Sequence, residues 1–141
     1  MDKRFWICGI VVGMAALVLD FFIHGLILRT DYAALVPAGL VRGPDDASGY
    51  LPWLVVAHAA IGFGLTALYR HFHAAPTSDA RQGLRFGLLM ALAATFPGYL
   101  VYYAVQPWPG SLVAKQIVLS TLAMLLLGLL LAWLQPRRVS L

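Results

Sequence analysis

Hydrophobic residues fall in four long blocks along this chain, and polar residues gather in the short segments between them. The blocks cover residues 5–28, 51–69, 84–105 and 112–134. A hydrocarbon core of about 30 Å takes about 20 apolar residues of helix, so each block is long enough to cross a bilayer once. With no water inside a bilayer to satisfy backbone groups, helices are the expected form of such blocks. The pattern predicts an all-α, four-transmembrane-helix bundle, a single integral membrane domain over residues 1–141. Little chain is left for a soluble domain. Function must therefore sit between helices or in residues 29–50.

Composition points the same way. The 141 residues are 61% hydrophobic and 11% charged, with a mean hydropathy of +0.80, whereas soluble domains carry about 25% charged residues. Lys3 and Arg4 before an apolar run invite a signal-peptide reading. That run continues past Asp20 to Leu28 without a convincing small-residue cleavage site, so the first block is expected to remain as a span.

Basic residues set the orientation. Lys3 and Arg4 precede the first block, Arg70, Arg81 and Arg85 surround the second connection, and Arg137 and Arg138 follow the fourth block. Positive residues favour the cytoplasmic side, so both termini are expected there, with a bacterial inner membrane as the location. Tyr50, Trp53 and Trp108 would then lie at the outer interface, and Trp6 and Trp133 at the inner one. The net charge of +4 is split among these short segments, which argues for topology signals and against a nucleic-acid partner.

Turn residues divide the blocks. Gly43-Pro44-Asp45-Asp46 predicts a turn before the second span, and Pro76-Thr77-Ser78-Asp79 a turn and cap before the third. The segment from Gln106 to Ser111 predicts a tight hairpin with Ser111 capping the fourth helix. Pro97 should kink the third. Leu35, Val36, Leu40 and Val41 make the first loop apolar enough for a short interfacial helix.

Helical spacing puts Gly9, Gly13, Ala16, Asp20 and His24 on one face of the first span. In the third, Gly83, Gly87, Ala91, Ala94, Gly98 and Tyr102 share a stripe, and in the second His58 and Gly62 share a face. Small residues let helices approach closely. Gly9, Gly13, Gly62, Gly83, Gly87 and Gly98 are therefore the expected packing positions.

Span direction combined with the rise of about 1.5 Å per residue gathers polar side chains at one depth. Asp20 and His24 lie in the outer third of the first span, and His58 about 10 Å below the outer end of the second. Tyr99, Tyr102, Tyr103 and Gln106 reach that layer from the third span, and Lys115, Gln116, Ser120 and Thr121 from the fourth. The inner half has almost no such groups. An ionised aspartate in a bilayer costs about 2.5–3.5 kcal/mol on insertion scales and takes a partner. His24, His58 and Lys115 are the candidates for Asp20.

Four readings of this layer compete. It is a hydrogen-bonded network that fixes helix register, or a proton or ion path, though the apolar inner half interrupts any route through a single copy. It is a metal site built from Asp20, His24 and His58, or, more weakly, a haem site on two histidines. No cofactor is favoured among them. The sequence contains no nucleophile elbow, glycine-rich phosphate loop, HExxH or CxxC, so no enzyme motif supports catalysis. Cys8 is the single cysteine, which excludes an internal disulfide and leaves a packing role.

The order Asp20, His24, Gly25, then Tyr32, Leu51-Pro52-Trp53, Gln82-Gly83-Leu84-Arg85-Phe86-Gly87 and Pro107-Trp108-Pro109-Gly110 resembles that of small bacterial inner-membrane proteins of unknown function. The resemblance runs over most of the chain. It implies four helices and carries no activity and no catalytic residue. From the residues themselves, the expectation is a non-enzymatic accessory or interaction subunit in the lipid bilayer, forming a homo-oligomer through its glycine faces or binding another membrane protein. The alternative is a small transporter or ion-binding protein centred on Asp20, His24 and His58.

Overall fold

The computed structural model describes residues 2–72 and 80–135. The turn expected at residues 76–79, and Arg137 and Arg138, lie outside the described residues. All the regular structure among the described residues is helical. Four helical stretches are long and apolar enough to cross a membrane: Lys3–Ile27, Pro44–His71, Ala80–Val105 and Gly110–Leu134. They match the four blocks read from the sequence, each starting a few residues earlier, while the first stops at Ile27, one residue short of its expected end.

The first span is α1 (Lys3–Asp20) followed by a π-helical segment, Phe21–Ile27. Asp2 caps it, its carboxylate accepting from the Phe5 N–H at 2.9 Å and from Arg70 at 2.9 Å. A short helix, α2 (Arg29–Ala33), follows, and the chain then turns back through Gly39, whose φ of 70° suits a residue without Cβ. The second span is α3 (Ala47–Phe72), entered through a 3-10 turn at Pro44–Asp46.

The third span is α4 (Ala80–Met90), a π-helical segment at Ala91–Thr95 and α5 (Phe96–Val105). Pro97 removes one helical donor, and its ring crowds the carbonyl a turn earlier, which the wider π turns relieve. The fourth span is α6 (Gly110–Leu134). Its cap is Pro109, whose carbonyl accepts from Leu112 at 3.0 Å and Val113 at 3.2 Å. The Ser111 side chain does not cap it, because the helix starts one residue earlier, at Gly110.

Packing is organised as two glycine-joined pairs. A Cβ on Gly62 of α3 would strike the Gly9 carbonyl and would lie 2.5 Å from the Gly13 nitrogen. A Cβ on Gly13 would come within 2.9 Å of the His58 carbonyl. The α4–α6 pair is built likewise: Gly83 and Gly128 face each other's carbonyls, and Gly87 faces that of Met124. Backbones that close leave no room for a methyl group. Five of the six expected packing glycines thus meet another part of this same chain, Gly9 against the Phe63 ring.

The pairs are joined where α1 meets α6. Val12, Leu65, Tyr69, Phe86, Leu127 and Leu131 fill one half of the bundle, with Tyr69 edge-on to Phe86 at 5.1 Å. At that end Arg4 donates to the Leu134 carbonyl at 2.9 and 3.1 Å. At the opposite end Ile23, Leu28, Leu35 and Leu112 form a second cluster, so the first loop folds back over the bundle. Between these clusters α3 and α5 make little contact.

Candidate functional site

The polar layer lies between the two apolar clusters. On the first span Asp20 ends α1 and His24 sits in the π-helical segment. His24 Nε2 is 3.4 Å from Asp20 Oδ1, and His58 Nε2, arriving from α3, is 3.7 Å from Asp20 Oδ2. Side chains separated by 38 residues in sequence thus meet. His58 is buried, and its Nδ1 is bonded to the Leu54 carbonyl at 2.7 Å.

A chain of hydrogen bonds runs through His24 to the other helices. Gln116, fully buried on α6, donates to the Tyr32 hydroxyl at 2.6 Å. That hydroxyl is 2.6 Å from His24 Nδ1. With Gln116 donating, the tyrosine uses its own hydrogen toward Nδ1, and the proton of a neutral His24 ring then resides on Nε2. Nε2 lies 3.2 Å from the Tyr99 hydroxyl, which in turn bonds Ser120 at 3.0 Å. Burial pushes the Tyr32 phenol up to about 12, so it stays a donor through the neutral range.

Lys115 is not part of this chain of bonds. Its ammonium holds Asp31 of α2, at 2.8 and 3.0 Å from the two carboxylate oxygens, and so ties the first loop to α6. Tyr102 stacks on Trp108, with ring centroids 5.8 Å apart. Tyr103 is half-exposed. Tyr32 is the residue of this network that helical spacing alone does not point to. Tyr32 follows His24 by eight residues, but a π-helical segment and a bend at Leu28 lie between them, so spacing on a straight helix does not report the contact.

Asp20, His58, Tyr99 and Ser120 line a cavity of about 370 Å³ whose remaining walls are mostly apolar, among them Ile61, Ala123 and Leu127. The cavity is partly open, and α3 and α5, which both line it, make little contact with each other. Gly98 belongs to this cavity: a Cβ there would meet nothing within 4 Å, so it packs against no helix. The π segment at Ala91–Thr95 and the helix that follows it supply Ala94, Thr95 and Tyr102 to the same wall.

Among the described residues, no group of three or more His, Cys, Asp or Glu side chains is arranged to hold a metal ion. Both His24 nitrogens already have hydroxyl partners, at 2.6 and 3.2 Å, and His58 has one nitrogen on a carbonyl. The layer is therefore set up for hydrogen bonding into an apolar cavity. No protein-family model, curated protein or solved structure matches the chain.

Proposed function

We propose that this chain is a four-span protein of a bacterial inner membrane, with both termini cytoplasmic, that binds a small lipid-soluble molecule in the outer half of its bundle. The carrying observation is the 370 Å³ cavity with apolar walls and a polar floor of Asp20, His58, Tyr99 and Ser120. A concave apolar site with a few converging polar groups is the usual form of a small-molecule site. Entry from the bilayer would pass between α3 and α5.

The orientation is supported by Lys3, Arg4, Arg70, Arg81 and Arg85, which all belong to one end of the bundle. In that frame α2 and the loop after it lie at the outer interface, held by Lys115 and Asp31. The apolar cluster around Tyr69 and Phe86 closes the inner half, which favours binding over conduction. The accessory-subunit expectation drew on spare glycine faces. Gly9, Gly13, Gly62, Gly83 and Gly87 are used within the chain, so the cavity carries the proposal instead.

The test is mass analysis of small molecules retained by the protein after gentle extraction from the membrane, comparing the natural chain with Gly98→Leu. A Cβ at 98 meets nothing within 4 Å and Gly98 lines the cavity, so a leucine there should take up part of that space while sparing the helix contacts. The expected result is a molecule retained by the natural chain and lost from Gly98→Leu. Equal retention by both would remove the cavity from the account.

A further inference from the structure

His58 fixes its own hydrogen by its partner. Nδ1 lies 2.7 Å from the Leu54 carbonyl, and a carbonyl only accepts, so Nδ1 carries the ring proton. In the neutral ring Nε2 is then a bare acceptor, and it faces another acceptor, Asp20 Oδ2, at 3.7 Å. That separation is too long for a direct hydrogen bond and leaves a slot for a donor that bonds both atoms. Both side chains line the cavity.

Charge narrows the choice of donor. Among the described residues no lysine or arginine is paired with Asp20; its ion-pair partners are His24 and His58, and Lys115 is held by Asp31 at 2.8 Å. An aspartate with no lysine or arginine beside it leaves room for a cation supplied by a ligand. Tyr99 and Tyr102 line the same cavity, and aromatic rings favour cations. The apolar remainder of the wall accepts a hydrocarbon body.

From this geometry we propose that the slot between Asp20 Oδ2 and His58 Nε2 receives the N–H groups of a lipid-soluble primary ammonium, whose hydrocarbon part lies in the cavity. The assignment rests on the ligand-binding reading above and names the chemical class of its ligand. A hydroxyl supplies one donor and no charge. A quaternary ammonium supplies charge and no donor. A primary ammonium supplies both.

The experiment is calorimetric titration of the full chain in lipid nanodiscs with octylamine, octanol and octyltrimethylammonium, with Gly98→Leu as the blank for partitioning into lipid. Octylamine should bind saturably, at least about tenfold more tightly than either other probe, a ratio worth about 1.4 kcal/mol. Asp20→Asn should abolish that preference while Tyr102→Phe, which keeps the ring, retains it. Octanol binding as tightly as octylamine would overturn the ammonium assignment and leave the cavity reading intact. Equal binding of octyltrimethylammonium would overturn the donor slot. If no probe binds while a natural molecule is still lost on Gly98→Leu, this inference alone falls; if neither is seen, both readings fall.

Discussion

Replacing Gly62 by leucine should separate the first two spans, whereas the same change at Gly64, two residues along the same helix, should not. A Cβ at 62 lies 2.5 and 2.6 Å from the Gly13 nitrogen and Cα. Those are backbone atoms, which cannot rotate away, so α1 and α3 must part by roughly 1 Å, a gap that already forfeits a quarter to a half of each dispersion contact along the seam. Overpacking of this kind costs about 1–3 kcal/mol and sometimes more. Helix propensity returns less than about 1 kcal/mol for leucine over glycine, so the packing term wins. At 64 a Cβ meets nothing within 4 Å, and a leucine facing lipid contributes about −0.3 to −0.6 kcal/mol on insertion scales. The assay is thermal or denaturant unfolding of both variants in one detergent. The expected order places Gly64→Leu at or above the natural chain and Gly62→Leu about 2 kcal/mol below it. Equal stability of the two variants would refute the close α1–α3 contact.

Tyr32→Phe leaves the buried Gln116 amide without its acceptor and should cost about 1–3 kcal/mol, read by the same unfolding assay. Because the folded Tyr32 phenol sits at about 12, above its unfolded value of about 10, its contribution is present below about pH 10 and is lost as pH rises toward the folded value; an alkaline melting series should show this, and Tyr32→Phe should flatten it. Lys115→Met should change stability by less than about 1 kcal/mol, since the pair with Asp31 is half-exposed, yet hydrogen exchange in α2 should quicken. The Phe5 N–H bond and Arg70 hold the Asp2 carboxyl below the usual carboxylate range, so the Arg70 tie should persist as pH falls through that range and be released only below it, where the start of α1 should fray in hydrogen exchange, and Asp2→Asn should lessen the change.

The four spans were legible because hydrophobic length alone decides them, and the meeting of Asp20 with His58 was legible because the rise per residue is fixed while alternate spans reverse direction. The partner of Lys115 was not legible. Its choice of Asp31 depends on the first loop folding back over α6 through Leu28 and Leu35, a tertiary event that periodicity does not encode. Gly98 shares a stripe with Gly83 and Gly87, but the π turns at Ala91–Thr95 rotate the helix between them, so a straight helical wheel misplaces it. The cavity has the same origin: it exists because α3 and α5 fail to close on each other, and no local sequence feature reports a contact that is missing.

What fills that space in a membrane decides between a ligand site and a closed bundle. A crystal structure of the full chain grown from a lipidic mesophase measures it most directly. The expected map shows elongated density rising from between Asp20 and His58 and leaving the bundle between α3 and α5. A map in which α5 has closed on α3, with Tyr102 or Thr95 occupying the space beside Asp20, would contradict it.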